Sequence, residues 1–235
     1  MVQLTPQHPY VTIRLKFKKV GSLQYISHLD LVRTMSKIIT RAKLPLWYTE
    51  GFNPKPKMIF AAPLSIGTES VCEFMDLRLI DDLPPEQIKA RLNANMTDEM
   101  QVIEAYYTED KLTDLKWLSY SIDITTDNAS EELAEKCQTV LLGESVLVTK
   151  KAKPREVAPT VDIRPLIKEI KAELRGAVIH IDAVLSADAS SFLNPEYVVK
   201  ALKTECGILS NPDLTKEYYP IMRNEAYKGD MTEFR

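Results

Sequence analysis

Residues 10–20, YVTIRLKFKKV, alternate apolar side chains (Val11, Ile13, Leu15, Phe17) with basic ones (Arg14, Lys16, Lys18). A period of two places the sets on opposite faces and predicts a half-buried strand with a basic outer face. Gly21-Ser22 breaks the alternation. From Ser27-His28-Leu29-Asp30 the period changes to that of a helix. Ser27 stands as an N-cap, with Asp30 where a capping box has Glu. Leu31, Val32, Met35, Ile38, Ile39 and Ala42 share one face of a helix running to about Lys43. Arg33, Lys37 and Arg41, at i, i+4 and i+8, form a basic stripe on another face.

Leu44–Glu50 reads as a short strand, which Pro45 confines to an edge or a first position. Residues 51–57, GFNPKPK, read as a loop. Strands follow at 58–63 and 72–80, joined around Gly67. Pro84-Pro85-Glu86 opens a helix to about Asn95, and 100–109 is a closing strand. The second half has a strand at 117–126, a helix over 131–142 capped by Ser130, and a strand at 146–150. The segment 161–173 begins extended and can turn helical after Pro165. A strand at 177–185, a helix opened by Asn194-Pro195, and a weak strand at 219–227 complete it. Each half has the element order of a split βαβ, ferredoxin-like unit. The expected fold is α+β, with two tandem ferredoxin-like halves and antiparallel sheets. They span residues 1–112 and 113–235, and the boundary falls in the charged stretch 110–116.

The chain has 235 residues, 45% hydrophobic and 27% charged, which is a globular rather than a disordered balance. With seven glycines and neither G-x-G-x-x-G nor G-x-x-x-x-G-K-[ST], it has no sequence signature of a dinucleotide or P-loop site. No apolar run approaches the ~20 residues of a membrane span. The polar stretch Met1–Tyr10 has no signal-peptide core, so the expected compartment is the cytoplasm, with no membrane partner. Cys72, Cys137 and Cys206 lie too far apart for a zinc or iron–sulfur motif, so neither metal nor cofactor is expected. The net charge of −3 hides an asymmetry. Residues 1–70 hold ten basic and three acidic side chains, a net +7; residues 71–235 hold 20 and 30, a net −10.

The basic stripe could meet phosphates, or simply be a solvated helix face. Phe52, Asn53, Lys55 and Lys57 combine an aromatic, an amide and two cations in one loop. Aromatics stack on bases and amides read base edges, a set suited to single-stranded RNA. The plainer alternative is a structural loop with incidental lysines. His28, at the helix start, could serve as a general acid or base on an RNA 2′-hydroxyl, or only pack there. KKAKPR at 150–155 is a weaker basic patch, and Asp81-Asp82 reads as a solvated turn.

From Phe17 to Ser70 the chain closely resembles the radical SAM-linked family, a bacterial domain of unknown function. The matching pieces are Tyr25-Ile26-Ser27-His28-Leu29-Asp30, Arg33, Arg41-Ala42, Leu44-Pro45, Gly51-Phe52-Asn53-Pro54 and the Pro63-Leu64…Gly67 turn. Glu73 and Asp76-Leu77 extend them, and Asp162–Ile167 is a weaker second match. Members are fused to, or encoded beside, a radical SAM protein, so the resemblance implies such a partner. The chain lacks the C-x-x-x-C-x-x-C cluster motif, and the family supplies no catalytic residues. A more distant, fold-level similarity is to the CRISPR repeat-processing endoribonucleases. The expected function is an RNA-binding or substrate-presenting accessory to a radical SAM enzyme, in tRNA or rRNA modification or processing. His28, Arg33, Lys37, Arg41, Phe52, Asn53, Lys55 and Lys57 are the expected nucleic-acid contacts. The alternatives are a metal-independent endoribonuclease using His28 and a module that docks the radical SAM partner without RNA.

Overall fold

The alternating segment at the N-terminus forms β1, Val11–Lys19, in a computed structural model that describes residues 10–150, 158–213 and 215–235. Contacts divide the chain into two units: residues up to Asp114 together with Phe234–Arg235, and Leu115–Glu233. The last two residues thus pack with the first half, although the sequence order places them in the second.

In the first unit β1 is followed by α1 (His28–Arg41), β2 (Met58–Phe60), β3 (Thr68–Leu79), α2 (Pro85–Asn93) and β4 (Met100–Tyr107). The strands are antiparallel in the order β4-β1-β3-β2. Ser27 starts α1 by accepting from Asp30 N at 3.2 Å, while its hydroxyl donates to the Asp30 carboxylate at 2.7 Å. The helix stops at Ala42, and Lys43 takes the left-handed conformation, φ 52°. Leu31, Met35, Ile38 and Ile39 bury one face of α1 against Ile13, Leu15 and Phe17 of β1 and Met75 and Leu77 of β3. Ile88 and Leu92 of α2 join this core. The helix face and the strand period are therefore as the hydrophobic pattern predicts.

The other face of β1 is not the solvated basic surface that the alternation predicts. Arg14 is fully buried and Lys16 nearly so. Arg14 makes a bidentate pair with Asp76, its cross-strand neighbour on β3, at 2.7 and 2.9 Å. Its remaining donors reach the carbonyls of Asp110 (2.8 Å) and Arg235 (2.9 Å). The Phe234 ring lies 4.8 Å from the guanidinium carbon and stacks edge-on to Phe74. Alternation shows which side chains share a face; it does not show what covers that face. Here residues more than two hundred positions away cover it.

The second unit contains β5 (Trp117–Thr125), α3 (Glu131–Leu142), β6 (Leu147–Thr149), β7 (Thr160–Asp162), β8 (Ile167–Arg175), β9 (Val178–Ser186), α4 (Glu196–Cys206) and β10 (Ile221–Tyr227). Its main sheet is antiparallel in the order β10-β5-β9-β8, and β6 and β7 pair separately. With the β6–β7 pair set aside, the strands of both units stand in the order fourth-first-third-second. The fold is thus α+β with antiparallel sheets.

The helical alternative after Pro165 fails. Only Arg164–Leu166 turns, as a short 3-10 segment, and β8 follows. Ile167, Ile170 and Leu174 imitate helical spacing because a bulge between Ile167 and Glu169 shifts the strand's register by a residue. Beyond it, Ile170, Ala172 and Leu174 pair regularly with Ala183, Ile181 and Ile179. The Gln138 side chain of α3 accepts from Ala172 N at 2.9 Å, satisfying a β8 donor. Of the KKAKPR patch only Lys150 lies within the described residues. All three cysteines are buried and free. Among the described residues no helix is long and apolar enough to cross a membrane.

Candidate nucleic-acid interface

α1 buries its apolar face, so Arg33, Lys37 and Arg41 are left on the exposed side of the helix. Arg33 pairs with Asp30 at 3.2 Å, with both side chains more than half exposed. Such a pair contributes little to stability and does not tie up the guanidinium. The Ser27 hydroxyl first, and Arg33 after it, hold the Asp30 carboxyl below its ordinary range. Lys37 and Arg41 have no ion pair among the described residues. The stripe is thus three cations on one rigid element, able to meet successive phosphates of a flexible strand.

The 51–57 loop is the end of a hairpin. Leu46 bridges Leu79 of β3, and Trp47 N donates to Arg78 O at 3.0 Å. The chain then turns back: Tyr48 bridges Pro56, Thr49 N donates to Lys55 O at 3.0 Å, and Lys57 N donates to Trp47 O at 3.4 Å. Gly51 supplies a backbone φ of 127°, which other residues rarely adopt. Phe52 stands at the tip with its ring wholly in solvent, and Asn53 and Lys55 are exposed beside it. Tyr48, part-way along the hairpin, is a little under half exposed. A water-exposed aromatic flanked by cations is an arrangement that stacks a base and neutralises its phosphate.

His28 is the first residue of α1 and is exposed. Its ring packs edge-on against Phe60, with centroids 5.4 Å apart. Phe60 in turn meets Phe17 edge-on. Among the described residues nothing hydrogen-bonds the imidazole. Phe60 closes β2, and Lys55 lies five residues earlier in the hairpin. Among the described residues no hydrogen bond or ion pair joins His28 to Lys55, or the α1 stripe to the hairpin lysines.

Arg78 was not singled out from the sequence. It stands across from Lys57 by continuation of the β2–β3 register, in which Met58 faces Leu77. Its guanidinium carbon lies 4.1 Å from the Tyr10 ring centroid and 5.5 Å from that of Trp47. The two rings are 5.3 Å apart. In the sequence Arg78 looks like any charged residue on a strand. Only the pairing of β3 with the hairpin brings it beside Lys57.

Among solved structures, the chain is similar to a chain in the crystal structure of a Cbf5-Nop10-Gar1 complex. The TM-score is 0.54 at 9% identity, over 99% of this chain and 56% of that one. The chain thus spans little more than half of that neighbour, and the likeness is one of fold. A crystal structure of an unknown protein from Galdieria sulphuraria aligns at 11% identity over 91% of this chain and 98% of that one. Its TM-score of 0.29 is too low to bear on the fold. No curated protein matches the chain. The family described as "Uncharacterized protein conserved in bacteria (DUF2344)" matches residues 12–195, more than three quarters of the 235, and the chain belongs to that family.

Proposed function

We propose that this is a cytoplasmic RNA-binding protein that presents single-stranded RNA to a radical SAM enzyme acting in tRNA or rRNA modification or processing. The observation that carries the RNA reading is Phe52, an aromatic ring fully exposed at the tip of a hairpin that also bears Lys55 and Lys57. Its exposure leaves both faces of the ring open to stack on a base. The uncovered Arg33, Lys37 and Arg41 add a sequence-independent attraction for phosphate. The radical SAM partner rests on the resemblance of residues 17–70 and would supply the iron–sulfur cluster that this chain's sequence does not encode.

The test is fluorescence anisotropy of a labelled uridine 12-mer across a salt series. Replacing Arg33, Lys37 and Arg41 together with alanine removes three phosphate contacts. For single strands each contact contributes about −0.7 to the slope of log K against log salt, so the slope flattens by about 2. Unchanged affinity and slope in the folded triple variant would instead favour docking of a protein on this face. Metal-independent scission of the RNA by the wild type, lost in His28→Ala, would establish the endoribonuclease reading.

A further inference from the structure

Lys57 pairs with Trp47 and Lys55 with Thr49 across the hairpin, so the two lysines, two residues apart, share one face. Arg78 stands across from Lys57 and lies on that same face. It forms a row of three cations that begins at the hairpin and continues onto β3. Among the described residues none of the three is ion-paired. Arg78 also makes no side-chain hydrogen bond among them. Its guanidinium instead lies over the Tyr10 ring, with the Trp47 ring, tilted 54° to the first, farther off. An arginine held by its π-face keeps the N–H groups at its edge directed outward, in the fork that fits a phosphate.

We infer that Arg78, held on the Tyr10–Trp47 platform, is a phosphate-binding residue, and that Lys55, Lys57 and Arg78 together track the backbone of the strand whose base stacks on Phe52. This inference rests on the RNA reading above and extends it. It places one stretch of the strand along the face of the hairpin and β3, in addition to the phosphates met by α1. One side of the hairpin would then supply charge and its tip a stacking platform, the division seen where proteins hold single strands.

The experiment uses the full chain and the same uridine 12-mer. Arg78→Gln should weaken binding about tenfold and flatten the salt slope by about 0.7. Arg78→Lys should keep the slope and lose affinity, because a lysine retains the charge but not the fork. A purely structural arginine would lower the melting temperature and leave the slope of both variants at the wild-type value, which would overturn the inference while leaving the RNA reading standing. A wild type that does not bind the 12-mer at 50 mM salt would overturn both. Should Arg78→Gln fail to fold, the wild type still decides the matter. Phenylglyoxal labelling of Arg78, read by peptide mass spectrometry, should fall severalfold with saturating 12-mer; labelling unaffected by bound RNA would overturn the inference.

Discussion

Apart from the β6–β7 pair of the second, the two units run through the same helices and strands in the same strand order, yet corresponding positions carry opposite chemistry. In each, the helix after the first strand is capped by a serine, Ser27 for α1 and Ser130 for α3. On α1 the exposed charges are Arg33, Lys37 and Arg41 against one aspartate; on α3 they are Glu131, Glu132 and Glu135 against Lys136. In each, the first and third strands join an ionisable pair at directly facing positions, Arg14 with Asp76 and Asp123 with His180. The first pair is buried under Phe234, whereas Asp123 is about half exposed. The topology fixes where a cap, a core face and a cross-strand pair fall. It leaves the exposed faces free to diverge, and a function must be sought on those faces.

The sharpest way to break this comparison is at the two cross-strand pairs. Asp76→Ala leaves the Arg14 guanidinium in an apolar setting with only two carbonyl acceptors. Removing one partner of a buried pair costs about 3–5 kcal/mol. Urea denaturation of the full chain should show this as a lower midpoint, and a loss below about 1 kcal/mol would mean that Arg14 is hydrated. The next effect concerns binding alone. Phe52→Ala should weaken the uridine 12-mer by about 1–3 kcal/mol, the range for one base stacked on one ring. Its melting temperature should stay at the wild-type value, because the ring touches nothing in the fold. A drop in melting temperature with no change in affinity would place Phe52 in the structure rather than in the interface.

The sequence made the helices, most of the strands and the α1 stripe legible, because each depends on a local period or cap. Three features were not legible, for physical reasons. β8 has helix-like spacing because a bulge between Ile167 and Glu169 inserts one residue into its alternation, and in the apolar pattern the resulting step of three cannot be told from a helical one. The basic side of β1 is buried because Phe234 and Arg235 return to it, a contact between the two ends of the chain. Arg78 and His180 depend on strand pairing: His180 lies between Asp123 at 2.6 Å and Asp182 at 3.1 Å, and only register brings Asp123 within reach. For the candidate site itself, the residue types were readable, but their division between a helix face and a hairpin was not.

The exposed pair of the second unit provides the weaker counterpart to Asp76→Ala. Asp123→Ala removes one of two carboxylates from His180 and leaves the hydrogen bond to Asp182 in place. Solvent can reach the vacated position, since Asp123 is about half exposed. The expected loss is therefore that of a single hydrogen bond, about 0.5–1.5 kcal/mol, measured by the same urea titration. A cost as large as that of Asp76→Ala would show that burial is not what separates the two pairs.

The smallest expected effect tests whether charge on the helices matters by position or only by sum. Replacing Glu131, Glu132 and Glu135 with glutamine raises the net charge of the chain by three, as much as the α1 triple alanine variant lowers it. If RNA responded only to total charge, the two variants would change the salt slope by equal and opposite amounts. The slope instead counts the cations displaced from phosphates that the protein touches, and α3 contributes no cation beyond Lys136 to such a contact. The slope of the glutamine variant should therefore match the wild type, against a flattening of about 2 for the α1 variant. Its stability should fall by about 0.6–2 kcal/mol, because Glu131 and Glu132 stand in the first turn of α3, where each contributes about 0.3–1 kcal/mol through the helix dipole. A steeper slope in the glutamine variant, similar in size to the flattening in the α1 variant, would place the RNA near α3 as well and undo the distinction between the two helices.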